Sequence, residues 1–249
     1  GFPKTLPVSE TLDDLLGDFP FSDDAGRAHA VGLLLLPFVR NLISGSTPLH
    51  LIEKPAPGTG GTLLAEVLVI PALGSAALLL AETTSEEEWR KRITAVLSTS
   101  PRFVLLDNLC HPLKSSALAV VLTSPTWEDR LLGRSATVQY QVSCAWVATA
   151  NNPVLSDEIA RRTIHIRLDA GMEHPADRPA SSFRHRDIRA WSRDNRGRLI
   201  WAACTLARSW LAKGQPPPPP ETHAIGGFES WRTVIGGILD ATDIPGFLS

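Results

Sequence analysis

The chain has 249 residues, of which 43% are hydrophobic and 20% are charged, and its formal net charge is -2. This length and apolar content are enough to bury a full core, either as one large domain or as a core with a smaller unit. A total charge so near zero excludes a protein coated in basic charge, although it leaves room for a local basic face.

The cysteines and the hydropathy of the chain indicate the cellular compartment of the protein. Cys110, Cys144 and Cys204 are scattered, form no C-x-x-C pair and have no histidine at ligand spacing. Reduced thiols of this kind are typical of a cytosolic protein. No apolar run reaches the ~18–20 residues of a membrane helix, so we expect a cytoplasmic protein without a membrane partner. Because the chain begins at Gly1 and its single methionine is Met172, we expect a segment of a longer polypeptide.

In chain order, residues 1–23 are rich in Pro and Asp and predict a linker or an arm laid over the core. Helical spacing of apolar residues predicts a helix over 24–43, and short apolar runs then alternate with helical patterns. The predicted strands are 49–53, 76–81, 103–106, 143–149 and 163–168, and the predicted intervening helices are 62–73, 85–97, 113–122 and 156–162. This alternation predicts an α/β fold with a parallel sheet and ligand chemistry at the carboxyl ends of its strands.

Two regions depart from this alternation. Residues 127–141 surround Gly133 and predict a turn or hairpin insertion. After Asp169 we predict a linker at 170–182, a basic helical stretch at 184–212, a polyproline II spacer at 216–220 and a last helix at about 228–239. In the basic stretch we interpret the arginines as a solvated face rather than a DNA groove, and the tryptophans as core.

The stretch from Lys54 to Thr62, KPAPGTGGT, lies between a predicted strand and a predicted helix. A strand, a Gly-rich turn and a helix in this order favour a phosphate-binding loop, in which backbone N–H groups and the helix N-terminus hold a polyphosphate. On the pattern G-x-x-x-x-G-K-[ST] the stretch fits at Gly60 and Thr62. Pro55 replaces the first glycine, and Gly61 replaces the lysine. A plain tight turn is the alternative interpretation.

Polar residues adjoin three of the predicted strands. Asp107-Asn108 and Asn151-Asn152 each end a strand, and Arg161-Arg162 directly precedes one. We expect all of them at the carboxyl edge of the sheet. Simpler interpretations remain open: a helix cap for the aspartate, a turn for the asparagine pair, and solvation or pairing with nearby acidic residues for the arginines.

Together, the loop at 55–62, the run Phe103–Asp107, Asn151 and the arginine pair resemble an AAA+ ATPase. The similarity is greatest to helicase-like ATP-binding proteins of phages and integrated mobile elements, which are often joined to primase modules. Its most specific part is TANNPVLSDEIARRT, from Thr149 to Thr163. The resemblance implies an AAA+ core with a five-stranded parallel sheet at 24–170 and a helical lid at 171–249, with the proline-rich spacer at 216–220.

The resemblance also implies ATP and Mg²⁺ as cofactors. The nucleotide-binding residues that it implies are Pro57, Gly58, Thr59, Gly60, Gly61 and Thr62. The Thr62 hydroxyl and Asp107 would hold Mg²⁺. Asn151 would orient the attacking water or touch the γ-phosphate, and Arg161 or Arg162 would reach into a neighbouring subunit's site as an arginine finger.

Two departures bear on catalysis. Gly61 stands where a lysine would neutralise the phosphates, and Asn108 stands where many AAA+ enzymes place a glutamate as general base. An amide can hold a water but cannot take its proton. Lys54, just upstream, is our candidate for a cation that swings back over the phosphates. Without it, the site would bind nucleotide weakly and turn over slowly.

The leading hypothesis is an ATP-hydrolysing motor domain of a DNA replication helicase or primase-helicase from a mobile element. It would form a homo-oligomeric ring, a hexamer, act on single-stranded DNA, and share its polypeptide with a primase domain. Arg130 and Arg134 in the hairpin would face DNA in the central channel. The alternative, favoured by Gly61 and Asn108, is a degenerate AAA+ module that serves as an assembly or DNA-binding scaffold. A small-molecule P-loop kinase is disfavoured, because the arginine pair and Asn151 imply an inter-subunit site.

Overall fold

The computed structural model describes residues 7–130, 136–172 and 174–249. Within them the strands are β1 Leu49–Lys54, β2 Leu78–Leu79, β3 Phe103–Leu109, β4 Thr126–Arg130, β5 Thr137–Gln141, β6 Ala145–Asn151 and β7 Thr163–Arg167. The helices are α1 Val8–Leu16, α2 Asp24–Val39, α3 Gly61–Leu73, α4 Glu86–Leu97, α5 Ser116–Val121, α6 Asp157–Ala160, α7 Ile188–Asp194, α8 Arg196–Ala212, α9 Glu229–Trp231 and α10 Gly237–Ala241, with a π-helical turn at Arg232–Gly236.

Five strands of the described residues form one parallel sheet in the order β2-β3-β6-β1-β7, and helices cover both faces. This confirms the predicted α/β fold with a five-stranded parallel sheet. After β1 the chain crosses to the far side of the sheet, where it forms β2 and β3. It then returns to form β6 in the position between β3 and β1. The carboxyl ends of β1, β6 and β3 are therefore neighbours, although they are far apart in sequence.

Local signals set several helix starts. The Asp23 carboxylate accepts a hydrogen bond of 2.6 Å from the Gly26 N–H, and the Ser85 hydroxyl accepts one of 3.4 Å from the Glu88 N–H. Both are N-caps that satisfy a backbone donor with no partner inside the helix. The predicted hairpin is present as antiparallel β4 and β5, and it docks on α4 through a 2.9 Å bond from Trp127 Nε1 to Thr94 Oγ1.

The N-terminal segment, for which we predict a linker or an arm laid over the core, contains a helix and packs on the core. Residues 8–16 form α1, whose side chains Leu12, Leu15 and Leu16 are buried. They pack into the same apolar cluster as α2, α3 and α8. The apolar residues of this helix cover only two turns, and acidic residues interrupt them, so helical periodicity is hard to recognise in the sequence.

The C-terminal segments are also more closely packed than predicted. Pro218 in the proline run is buried, and the Pro216 carbonyl accepts a 2.8 Å hydrogen bond from Trp210 Nε1, so the run is not a free spacer. The predicted linker at 170–182 contains 3₁₀ turns at Pro175–Asp177 and Ala180–Ser182. The domain boundaries at 23/24 and 170/171 stay predictions.

The arginines of the basic stretch bind mainly within the chain. Arg189 pairs with Glu66 of α3, and Arg198 with Asp14 of α1. Arg184 donates to the Asp13 carbonyl, and Arg196 donates to the carbonyl of Pro71. These contacts fasten the C-terminal helices to α1 and α3. Of the helices described, none combines the length and the apolar character needed to cross a membrane.

His50, in the central strand β1, is fully buried beneath Trp231, with ring centroids 5.9 Å apart. Burial lowers the pKa of His50 from 6.5 to about 3. Burial also lowers the pKa of His29. The unfolded chain therefore takes up protons below about pH 6.5 that the folded chain does not, and stability falls as the pH is lowered toward 3.

We predict that His50→Leu reduces the loss of unfolding free energy between pH 7 and pH 5 by up to about 2 kcal/mol, because one proton uptake by the unfolded state is removed. Urea unfolding at both pH values measures this change. His174→Leu, at an exposed position, is the matched control. An acid dependence identical in His50→Leu and in the unmodified chain would contradict the prediction.

Candidate nucleotide site

The backbone of the Gly-rich loop has the shape of an anion cradle. Gly58 and Gly60 adopt φ of 82° and 99°, in the left-handed region that favours glycine. The Thr59 hydroxyl donates a 2.7 Å bond to the Ala56 carbonyl and holds the turn from within. In the described part of the chain, none of the backbone N–H groups from Gly58 to Leu63 has an acceptor. Six consecutive free donors at the start of α3 are suited to bind phosphate oxygens.

Thr62 and Asp107 meet at the carboxyl edge of the sheet. The Thr62 hydroxyl donates a 2.8 Å hydrogen bond to Asp107 Oδ1, and the Thr149 hydroxyl donates one of 2.6 Å to the same oxygen. Thr149 also accepts a 2.7 Å bond from the Asn108 N–H. Asn108 has φ of 53° where the register between β3 and β6 shifts. An aspartate beside a threonine hydroxyl is a donor set that suits Mg²⁺.

The two asparagines after β6 have different positions. Asn151 is level with Lys54 in the pairing of β6 with β1, and it lines the cavity over the loop. Asn152 instead supports the loop: its N–H donates to the Lys54 carbonyl at 3.1 Å, and its Nδ2 donates to the Pro55 carbonyl at 3.2 Å. The turn interpretation therefore describes Asn152, and the site interpretation fits Asn151.

Lys54, the last residue of β1, points into the site. It is 7% exposed, and burial lowers the pKa of its ammonium while the nearby Asp107 raises it. Its Nζ lies 3.4 Å from the position that a Cβ on Gly61 would take. Lys54 thus brings an ammonium group from the end of β1 to the start of α3, beside position 61.

Two adjoining cavities extend from the loop. One, of about 330 Å³, is lined by the loop together with Lys54, Asn108 and Asn151. The other, of about 450 Å³, lies between the loop and the start of α7. Arg189 lines both. The second cavity is also bounded by the apolar rings of Phe19 and Phe183 and by the basic side chains Arg178, Arg186 and Arg193.

Other predicted site residues lie elsewhere. Arg161 and Arg162 are not at the carboxyl edge, which corrects our expectation: the Arg162 carbonyl accepts from the Leu49 N–H, at the first residue of β1. They lie at the opposite edge because they precede β7 instead of following it. Arg130 is exposed at the end of β4, in the hairpin. Arg134 lies outside the described residues.

Sequence reasoning did not assign four residues that shape the site. The sequence singles out Thr149 only as the start of a motif, although a hydroxyl in an otherwise apolar buried strand is a usable signal. Asn152 is expected at the carboxyl edge or in a turn but is given no role in the site, and Arg189 is expected only as part of a basic face. Phe19, 3.6 Å from a Cβ position on Gly60, comes from a segment predicted to be a linker or arm.

Fold and site together define an α/β protein with a strand–glycine loop–helix unit at the carboxyl edge of a parallel sheet. No protein-family model matches the chain, and no curated protein matches it.

Several solved structures are similar in fold. The A form of the apo C-terminal region of NrS-1 is 14% identical, with a TM-score of 0.47, over 80% of this chain and 46% of that one. JCV helicase is 12% identical, with a TM-score of 0.45, over 95% of this chain and 59% of that one. An inhibitor-bound JCV helicase is 13% identical, with a TM-score of 0.45, over 96% of this chain and 60% of that one. The chain thus spans about half to three fifths of the length of these proteins.

We predict that Thr149→Val destabilises the protein by about 1–3 kcal/mol, because it leaves the Asn108 N–H without its acceptor. Thr149→Ser keeps the hydroxyl and should recover most of this loss. Chemical denaturation of the three forms measures the difference. If valine is as stable as threonine, the hydrogen bonds of the hydroxyl do not contribute to stability and the prediction fails.

Proposed function

We propose that the chain is an AAA+-type ATP-binding and ATP-hydrolysing motor domain of a DNA helicase or primase-helicase. The observation that carries the proposal is the loop from Gly58 to Leu63, with free N–H donors and two left-handed glycines, beside the Thr62–Asp107 pair. A polyphosphate fits these donors, and the basic cavities beside them suit its charge.

Each side chain has a role that its position supports. Thr62 and Asp107 would hold Mg²⁺, which when bound neutralises charge on the β- and γ-phosphates. The N–H groups of the loop bind phosphate oxygens, and Asn151 orients a water in the first cavity. The apolar rings of Phe19 and Phe183 bound the second cavity and suit a nucleobase, and Arg189 lies where the two cavities meet.

The edge position of Arg161 and Arg162 supports an oligomer. Side chains at the opposite edge of the sheet are remote from the site of their own subunit. They can contribute to phosphoryl transfer only in the site of a neighbour, as arginine fingers do. We therefore propose a ring of identical subunits, a hexamer. The resemblance of the 149–163 motif to helicase-like ATP-binding proteins of mobile elements supports a primase domain in the same polypeptide and an origin in a mobile element.

A second candidate is a nucleotide-binding scaffold that does not hydrolyse ATP. It is favoured by Asn108, because the residue after Asp107 carries no carboxylate to accept a proton from water. Its N–H is bonded to Thr149, so the backbone is fixed there. ATP binding without turnover would select this candidate.

We predict that the protein hydrolyses ATP in the presence of Mg²⁺ and that single-stranded DNA accelerates turnover. Asp107→Asn should lower turnover about a hundredfold, the scale of an electrostatic contribution to a transition state. Phosphate release with and without DNA measures this, and Asp240→Asn, exposed on α10, is the matched control. Equal turnover in Asp107→Asn and the unmodified chain would refute the assigned role.

We predict that Arg130→Ala weakens binding of single-stranded DNA and lowers the slope of log affinity against log salt by about 0.7, the value for one lost phosphate contact. Fluorescence anisotropy at several salt concentrations measures both quantities. Arg208→Ala removes the same charge from an exposed site on α8 and is the control. A salt slope unchanged in Arg130→Ala would exclude the hairpin arginine from the DNA contact.

A further inference from the structure

The side chain of Lys54 is nearly buried and has no direct partner in the described part of the chain. It is 7% exposed, and among those residues its Nζ forms neither an ion pair nor a hydrogen bond, although Asp107 is near enough to favour its charged form. Taking an ammonium out of water is costly unless a partner replaces the lost hydration. The cavity over the loop is where such a partner would bind, because Lys54 lines it together with the free N–H donors.

Gly61 gives a second, independent observation. Unlike Gly58 and Gly60, it does not have a positive φ, and it is the first residue of α3. The backbone there accepts any L-residue, and alanine inside a helix is more favourable than glycine by about 1 kcal/mol. Conformation therefore gives no reason for a glycine at this position.

The space around position 61 does give a reason for a glycine there. A Cβ on Gly61 would lie 3.1 Å from Lys54 Cδ, 3.4 Å from Lys54 Nζ and 3.4 Å from Ile52 Cγ2. The closest of these contacts is tighter than ordinary van der Waals packing, and the atom that would have to move belongs to the lysine. Gly61 thus leaves the volume through which Lys54 reaches the loop.

We infer that Lys54 and Gly61 act as a pair, in which the lysine binds the β- and γ-phosphates of a nucleoside triphosphate and the glycine makes room for it. The cation comes from the last residue of β1 rather than from the first turn of α3. The usual P-loop lysine has therefore not been lost from the site but supplied from another element. This inference rests on the proposed function, since it requires that the loop binds a nucleotide.

The test measures binding of ATPγS, ADP and AMP, with Mg²⁺, by calorimetry. Lys54→Met keeps the apolar stem, and we expect it to weaken ATPγS binding about ten- to hundredfold, the range of a hydrogen bond to a charged group. AMP, which has no β- or γ-phosphate, should bind nearly as before, which also shows that the variant is folded. Lys114→Met, at an exposed lysine, is the matched control.

If the two residues act as a pair, the effects of substituting them on ATPγS affinity should not be additive. A lysine with a merely structural role would not produce this result. Gly61→Ala should weaken ATPγS binding in the unmodified chain but have little further effect in Lys54→Met. The exchange Lys54→Ala with Gly61→Lys should recover most of the affinity, because it restores the cation in the volume that the first change vacates. Additive losses and no recovery by the exchange would overturn the inference.

Failure of the inference and failure of the proposed function are distinguishable. If the unmodified chain binds none of the three nucleotides, the proposed function fails. If it binds ATPγS and Lys54→Met binds it equally well, the inference fails and the nucleotide site remains. If Lys54→Met does not fold, Gly61→Ala alone decides, since unchanged affinity there would show that displacing the lysine is without effect.

Discussion

The site depends on one carboxylate oxygen. Asp107 Oδ1 accepts hydrogen bonds from Thr62 at 2.8 Å and from Thr149 at 2.6 Å, and so ties the start of α3 to β3 and β6. The end of β1 is held separately, by its pairing with β6 and by the Asn152 N–H that donates to the Lys54 carbonyl, so the residues that connect it to α3 must turn sharply. The left-handed conformations at Gly58 and Gly60 are the consequence, and they turn successive N–H groups toward one point.

The rest of the site is built by segments from outside the sheet. Ala176, in a 3₁₀ turn after β7, lies 3.0 Å from a Cβ position on Gly58, and Phe19 lies beside Gly60. The Arg189–Glu66 pair joins α7 to α3 just beyond the loop. Because Phe19 belongs to the same apolar cluster as α2 and α3, and Ile188 and Trp191 of α7 pack against that cluster, the elements over the loop are held by the same core as the sheet. Access to the cavities and the stability of the fold are therefore linked.

The parts of the site that could be predicted from the sequence are those whose positions depend only on which strand they follow. Residues that end parallel strands meet at one edge, so the proximity of the loop, Asp107 and Asn151 could be predicted without coordinates. The same argument failed for Arg161 and Arg162, because a residue that precedes a strand lies at the other edge. The partners of Thr149 and the position of Phe19 depend on tertiary packing, for which a single sequence carries little signal. The direction of Lys54 was a hypothesis, since a side chain at a strand end can turn toward either face.

Holding a nucleotide and cleaving it place different demands on this arrangement. In the proposed function, the loop N–H groups, Lys54 and the Thr62–Asp107 pair would hold the nucleotide, and none of them requires a residue that accepts a proton. Cleavage would also call for a general base, and position 108 carries no carboxylate. Phosphoryl transfer passes through a loose transition state in which positioning and electrostatic stabilisation supply most of the catalysis. A missing general base lowers such a rate by about 10²–10⁴ without abolishing it. Under the proposed function, Asn108 therefore fits a slow ATPase, whose rate would depend on how firmly Asn151 orients the water and on an arginine from a neighbouring subunit.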